Sequence, residues 1–257
     1  MILSKRVALG GQQLDELHER IVIRSIDPGV PTETIQAVSQ MGGFGQRVTG
    51  QHWDVLEVSV SFAIDIEKRL MAERRAVFDM VNSWAMRKGW LTVNWLPGRR
   101  MWVDKVVFPG SGDLWDWTSE YTIVFRAYGV PFWQDETPST GTSGTSSSGS
   151  VWISNNGNMT SVVDVTFRNM SGMTIHNFYT QVSGNVIRLS SLGLGGSETL
   201  RIHHGSDGLL QIHIGGRSVY DRYSGDDDLY IGPGGTSVYY SADRAGILTA
   251  ECYGRYV

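Results

Sequence analysis

The chain has 257 residues, of which 41% are hydrophobic and 19% charged, with a formal net charge of −4. That length suits one large β domain or two ordinary ones, and that hydrophobic fraction excludes a disordered chain. The negative balance argues against a duplex-binding surface, which needs clustered Lys and Arg to displace counterions, so direct sequence-specific nucleic-acid binding is not expected.

In chain order, MILSKRVALGGQQLDELHER has no apolar run long enough for a signal peptide, and no later segment is expected to insert in a membrane. ERIVIRSI reads as a short strand. A proline-bearing stretch follows, and then QMGGFGQRVTGQ, which reads as an extended hairpin arm. DVLEVSVSFAI alternates, with Leu56, Val58, Val60, Phe62 and Ile64 on one face. The period changes at Asp65: Ile66, Leu70, Val77, Val81 and Trp84 recur at helical spacing, with Gly89 placed as a left-handed C-terminal cap. Strands are predicted around WLTVNWL, RRMWVDKVVF and SEYTIVFRAY, split by PG and PGSGD turns.

DETPSTGTSGTSSSGS, Asp135 to Ser150, is dominated by Ser, Thr and Gly and reads as a flexible linker between residues 1–134 and 151–257. The second half is all β. Short alternating runs, among them NVIRLSSL, ETLRIHH, LLQIHIG, SVYYSA and GILTAECYGRYV, are separated by glycine-rich turns in the manner of a sandwich or jelly roll. The 31 glycines, 9 tryptophans and 10 tyrosines lean the same way. The expected fold is therefore mainly β: two β-sandwich domains, the first with one α-helix and a hairpin arm.

The motifs favour architecture over chemistry. Asp226, Asp227 and Asp228 are contiguous, where an EF-hand alternates its ligands and closes with a glutamate, so the stretch reads as a solvated turn. GPGGT and LGLGGS lack the Gly-Lys-Ser/Thr ending of a phosphate loop. His203 and His213 fall diagonally on one face of a predicted hairpin, without a third ligand in register for zinc. Asp113 and Asp116, beside two tryptophans, could line a sugar groove or close a turn, and the turn is preferred. No catalytic residue, metal or cofactor is assigned. Cys252 is the single cysteine, which rules out an intrachain disulfide. For glycan contact the candidates are Tyr220, Tyr223 and Asp226, with Tyr239 and Tyr240 as further aromatic faces.

The order of these parts resembles a known family. A β run, a long arm, EVSVSFAI, a helix ending NSWAMRKGWLTVNWLPGRRMWVDKVVFPG, and SEYTIVFRAYGVPFWQ are similar to the N-terminal domain of phage distal tail proteins. ETLRIHHGSDGLLQIHIGG, DLYIGPGGTSVYYSA and ILTAECYGRYV resemble their second, galectin-like sandwich. The resemblance implies a structural virion protein, not an enzyme. It would form a homo-hexameric ring at the distal end of a long non-contractile tail, joining the tail tube protein to tail-tip, tail-associated and baseplate proteins. It places the chain in the virion tail tip after synthesis in the bacterial host cytoplasm. Phe44, Arg47, His52 and Trp53 of the arm are the expected subunit contacts. Two other readings stand beside it. One is a carbohydrate-binding protein recognising the host wall through residues 151–257, and the other a glycoside-cleaving tail enzyme using Asp113 or Asp226.

Overall fold

The structure is a computed structural model that describes residues 5–39, 46–67, 70–108 and 120–257. The chain divides into two compact units, Met1–Trp133 and Gln134–Val257. Asp113 and Asp116 lie outside the described residues. Among those residues, no helix is long and apolar enough to cross a membrane.

In the first unit the described elements run β1 (Val7–Leu9), β2 (Gln12–Gln13), β3 (Ile21–Asp27), β4 (Glu33–Ser39), β5 (Gln46–Trp53), β6 (Leu56–Ile64), α1 (Met71–Ala85), β7 (Gly89–Val93), β8 (Arg99–Val103), β9 (Lys105–Val107) and β10 (Glu120–Ala127). One sheet has the order β3-β6-β10-β9, and another includes the run β2-β1-β7-β8. The alternation read in DVLEVSVSFAI sets the register of the first sheet. Leu56, Val58, Val60, Phe62 and Ile64 are all buried, and β10 answers with Tyr121, Ile123, Phe125 and Ala127. Phe78 of α1 meets Tyr121 at 5.2 Å between ring centroids, and Trp84 meets Phe125 edge-on at 5.9 Å. Trp84 also donates its indole N–H to the Gln12 carbonyl at 2.9 Å, so its one polar atom is satisfied in the core.

Two details of the helix differ from expectation. It begins at Met71, with Leu70 exposed at its N-cap, and it ends at Ala85 with Met86 as cap. Gly89 is not a cap. It is the buried first residue of β7, where it lies against the backbone of Gly10. A Cβ there would stand 3.4 Å from the Gly10 Cα, an ordinary contact, so the position requires neither a left-handed cap nor an unusually close approach.

The junction continues as β11 (Trp133–Asp135). The second unit then runs β12 (Ser139–Thr142), β13 (Ser146–Asn155), β14 (Ser161–Asn169), β15 (Phe178–Val182), β16 (Asn185–Leu189), β17 (Thr199–His204), β18 (Leu210–Ile214), β19 (Arg217–Ser218), β20 (Tyr223–Gly225), β21 (Tyr230–Ile231), β22 (Gly234–Cys252) and β23 (Arg255–Tyr256). One curled sheet carries most of it, in the order β19-β18-β17-β14-β22-β15-β16-β20, with β12 and β13 also paired to β22. Its inner face encloses a core that includes Ile153, Val165, Phe167, Phe178, Ile187, Leu200, Ile212 and Leu248.

The serine-rich stretch is not a linker. Ser139–Thr142 and Ser146–Ser150 are strand residues bonded to β22. Their small, hydroxylated side chains suit a strand whose one face is solvated, and backbone pairing needs no apolar side chain. A second difference is the length of β22. SVYYSA and GILTAEC form one continuous strand, and Gly246 lies inside it. A Cβ at Gly246 would collide with the Phe167 ring and stand 2.5 Å from the Arg168 carbonyl oxygen, so this glycine admits a crowded crossing and makes no turn.

Candidate functional site

Two places carry the features that a function could use. The first is the hairpin β4–β5 of the first unit. Its strands pair from Glu33↔Trp53 to Ser39↔Gln46, with a register shift between Gln36 and Ala37. Its character follows from elementary geometry: a two-stranded ribbon has two faces and cannot bury both with its own side chains. Ile35 and Val38 on β4 and Val48 on β5 are each more than half exposed. Val48 stands opposite Ala37, two residues from Ile35, so the three share one face.

The expected arm contacts fall differently. Trp53 sits at the root of the ribbon, edge-on to Phe132 at 5.4 Å. His52 is exposed, 3.5 Å from the Asp54 carboxylate, which also accepts the Thr34 hydroxyl at 2.7 Å. Arg47 lies on β5 opposite Val38. Phe44 lies outside the described residues. The apolar triplet Ile35, Ala37 and Val48 was not singled out by sequence reasoning. The signal was available in the alternation of ETIQAVS, which resembles a strand with a buried face that nothing in the ribbon buries.

The second place is an open groove of about 770 Å³ in the second unit, lined by Gly208–His213, Ser218, Tyr220, Asp227 and Asp228. Tyr220 begins a single 3-10 turn, Tyr220–Arg222, and packs against Tyr223 with ring centroids 5.3 Å apart and planes tilted by 40°. Tyr223 donates its hydroxyl to the Asp226 carbonyl. Burial, followed by the Asp227 charge, pushes the Tyr223 phenol up to about 12. Asp226 does not face the groove residues as a ligand. Its Oδ2 accepts the Val186 backbone N–H at 2.6 Å, which fixes the turn to β16.

Asp228 behaves differently from a solvated turn residue. The alternation of β17 turns His204 to the same side as the buried Leu200 and Ile202, and its side chain is 5% exposed. Its Nδ1 lies 2.9 Å from Asp164 Oδ1 and its Nε2 lies 2.7 Å from Asp228 Oδ1. Ionised carboxylates only accept hydrogen bonds, so this arrangement is satisfied when both ring nitrogens donate. The His204 backbone N–H donates to Asp164 as well, at 3.0 Å, and Tyr230 donates its hydroxyl to Asp228 Oδ2 at 2.5 Å. That bond, then burial, pushes the Tyr230 phenol up to about 12. Burial draws the nearby Arg255 guanidinium down, and the Cys252 thiol, Asp164, Asp228 and Tyr230 oppose the change. The clamp joins β14, β17 and the loop before β21, and it holds one wall of the groove in place.

His203 and His213 lie diagonally on the other face, 5.5 Å between centroids, as the hairpin reading required. Burial lowers the His203 pKa, Asp164 partly restores it, and His213, Arg201 and His204 lower it further. Among the described residues, no three His, Cys, Asp or Glu side chains gather as a metal site. Cys252 is buried, and burial pushes its thiol up to about 12, which makes it inert.

The chain is thus mainly β in two units, the first with a single described helix and a separate two-stranded ribbon. Among solved structures it is matched by the SPP1 Dit protein (gp 19.1), described as a paradigm of the hub adsorption apparatus in phages infecting Gram-positive bacteria. That match has a TM-score of 0.66, 12% identity, and covers 98% of this chain and 99% of the other. The phage P2 baseplate in its activated conformation aligns with scores of 0.42 and 0.44 in its calcium and strontium forms, at 8% and 9% identity over 96% of this chain and 98% and 97% of the others. Those two scores are too low to carry an argument. No protein-family model and no curated protein matches the sequence. The likeness to distal tail proteins read from the order of motifs is thus present at the level of the fold.

Proposed function

We propose that this chain is a structural component of a phage tail: a distal tail hub whose first unit assembles into a six-membered ring. The ring joins the tail tube to tail-tip and baseplate proteins, which places the chain in the virion tail tip. The observation that carries the reading is the likeness to SPP1 Dit over nearly the whole of both chains. The ribbon β4–β5 supplies a physical reason for assembly, because Ile35, Ala37 and Val48 form an apolar strip that a neighbouring subunit would cover. Arg47 and His52, whose register partners Val38 and Thr34 alternate with that strip, would serve a contact on the ribbon's other face, and Phe44 would add to the assembly, with Trp53 anchoring the root. Negative-stain imaging and light scattering of the purified chain at high concentration test this. Rings of six subunits support it. Monomers at every concentration, with no ring restored by a tube or tip protein, overturn it.

A second reading has its own observation. Tyr220 presents a half-exposed ring over a groove that also holds Gln211, His213, Ser218 and Asp227, a pairing of aromatic face and polar rim that suits carbohydrate. On this reading the second unit contacts host-wall glycan while the first builds the ring. Tyr223 backs Tyr220, and Asp226 holds the turn beneath it. Loss of glycan binding in Tyr220→Ala is its test.

A further inference from the structure

The outer face of the second unit holds aromatic side chains that neither the core nor the groove uses. Trp152 on β13 is 64% exposed, and Tyr239 on β22 is 54% exposed. Tyr179 on β15 is half-buried, and Arg188 on β16 is exposed. The strand registers place these four in a line. Trp152 pairs with Ser237, two residues before Tyr239. Tyr239 pairs with Gln181, two residues after Tyr179, and Tyr179 pairs with Arg188. Each aromatic step therefore crosses one strand and climbs two residues, a diagonal of roughly 7–8 Å. The result is a staircase across four adjacent strands.

Its side chains are held in position. The Trp152 indole lies over Gly235, where any Cβ would collide with it, so the glycine seats the ring against the sheet and leaves its other side in solvent. Tyr179 donates its hydroxyl to Gln181 Oε1 at 2.7 Å, and the Arg188 guanidinium carbon lies 5.6 Å from the Tyr179 ring centroid. A hollow of about 380 Å³ at this end is bordered by Tyr179, Arg188, Ser190, Ser241 and Asp243. Asp243 already accepts the His176 backbone N–H, at 3.1 Å to Oδ2.

We propose that this staircase is a binding site for a neutral polysaccharide chain several pyranose units long. The inference rests on the carbohydrate reading of the second unit and assigns it to a different face. Pyranose rings offer flat C–H faces that stack on aromatic rings, and hydroxyl edges that need donors and acceptors beside them. Ser150, Ser237, Ser241 and Gln181 supply those between the rings. The hollow at one end holds one arginine and one aspartate, whose charges offset, and the residues between the rings are uncharged, so the steps complement a neutral polyol and not a polyanion. Serines interrupt the aromatics, so there is no contiguous apolar patch of the kind a protein partner covers.

The test is calorimetric titration of the full chain with cellohexaose and chitohexaose, and with the corresponding trisaccharides. A hexasaccharide is expected to bind at least roughly ten-fold tighter than its trisaccharide, because only the longer chain reaches successive steps. Trp152→Ala and Tyr239→Ala should each weaken it by roughly ten-fold, with melting temperature and oligomeric state unchanged. Binding that survives the Trp152→Ala/Tyr239→Ala double variant but falls in Tyr220→Ala overturns the staircase and keeps the groove. Absence of binding by both hexasaccharides up to about 10 mM overturns the staircase and removes support from the carbohydrate reading altogether. Loss of assembly in the double variant, without glycan binding by the parent, identifies the face as a protein contact and also overturns the proposal.

Discussion

The ribbon β4–β5 and the pair β13–β22 are both long antiparallel ladders, yet they solve the problem of two faces in opposite ways. In β13–β22, Val151, Ile153, Val238 and Tyr240 point into a core, and Trp152 and Tyr239 point out among serines. In β4–β5, Ile35, Val38 and Val48 are exposed rather than covered by the described residues. A ladder that is complete in its own chain can use its outer face for ligand contact. A ladder that is incomplete needs another molecule before its apolar residues are removed from water.

The sharpest way to break that contrast is to charge the ribbon. Ile35→Asp combined with Val48→Asp should abolish ring assembly in light scattering while leaving the melting temperature of the isolated chain within a few degrees, because neither side chain packs in the core. Retention of rings would show that the ribbon is not the contact.

The next effect lies in the second unit. His204→Ala leaves Asp164 and Asp228 without the imidazole that donates to both of them. Denaturant titration should show a loss of about 3 kcal/mol. A loss below about 0.5 kcal/mol would mean the two carboxylates find water instead. Gly246→Ala should cost somewhat less, about 2 kcal/mol, since its Cβ would press on the Phe167 ring and the Arg168 carbonyl. Chemical denaturation of the two variants side by side orders them.

The smallest effect concerns alkaline pH. The Tyr230 phenol has its pKa raised to about 12 in the folded chain against an ordinary value of 10. Between those values the unfolded chain has released a proton that the folded chain retains, so this contribution is present below pH 10 and is lost as pH rises toward 12. Tyr230→Phe should flatten that part of the stability profile slightly, and only slightly, because the side chain is partly solvated. An unchanged slope in urea titrations over this range would show that the hydrogen bond to Asp228 contributes no linkage.

Much of the fold was legible because it follows local periods. The alternation of Leu56 to Ile64, the helical recurrence of Val77, Val81 and Trp84, and the diagonal of His203 and His213 are all consequences of side-chain direction within one or two adjacent elements. What escaped depends on partners far along the chain. Ser139–Thr142 forms a strand only because β22 reaches it, and Gly246 lies within a strand because β14 pairs with it there, at a place where Phe167 leaves no room for a side chain. The candidate site divides the same way. Tyr220 and Tyr223 were visible as neighbours in sequence. The clamp of Asp164, His204 and Asp228 was not, since its members come from three separate elements, although the inward side of β17 already pointed His204 toward the core.

The position of β22 also sets a timetable for synthesis. Among the described residues, β12 and β13 pair with no strand but β22, which leaves the ribosome roughly a hundred residues later, several seconds at ordinary elongation rates. Until then both segments wait as open edges in a crowded cell. A waiting segment rich in serine, threonine and glycine stays hydrated and offers little to a passing chain, whereas a hydrophobic one would invite misassembly. The composition that makes this stretch look like a tether is the composition that lets a strand arrive early and be joined late.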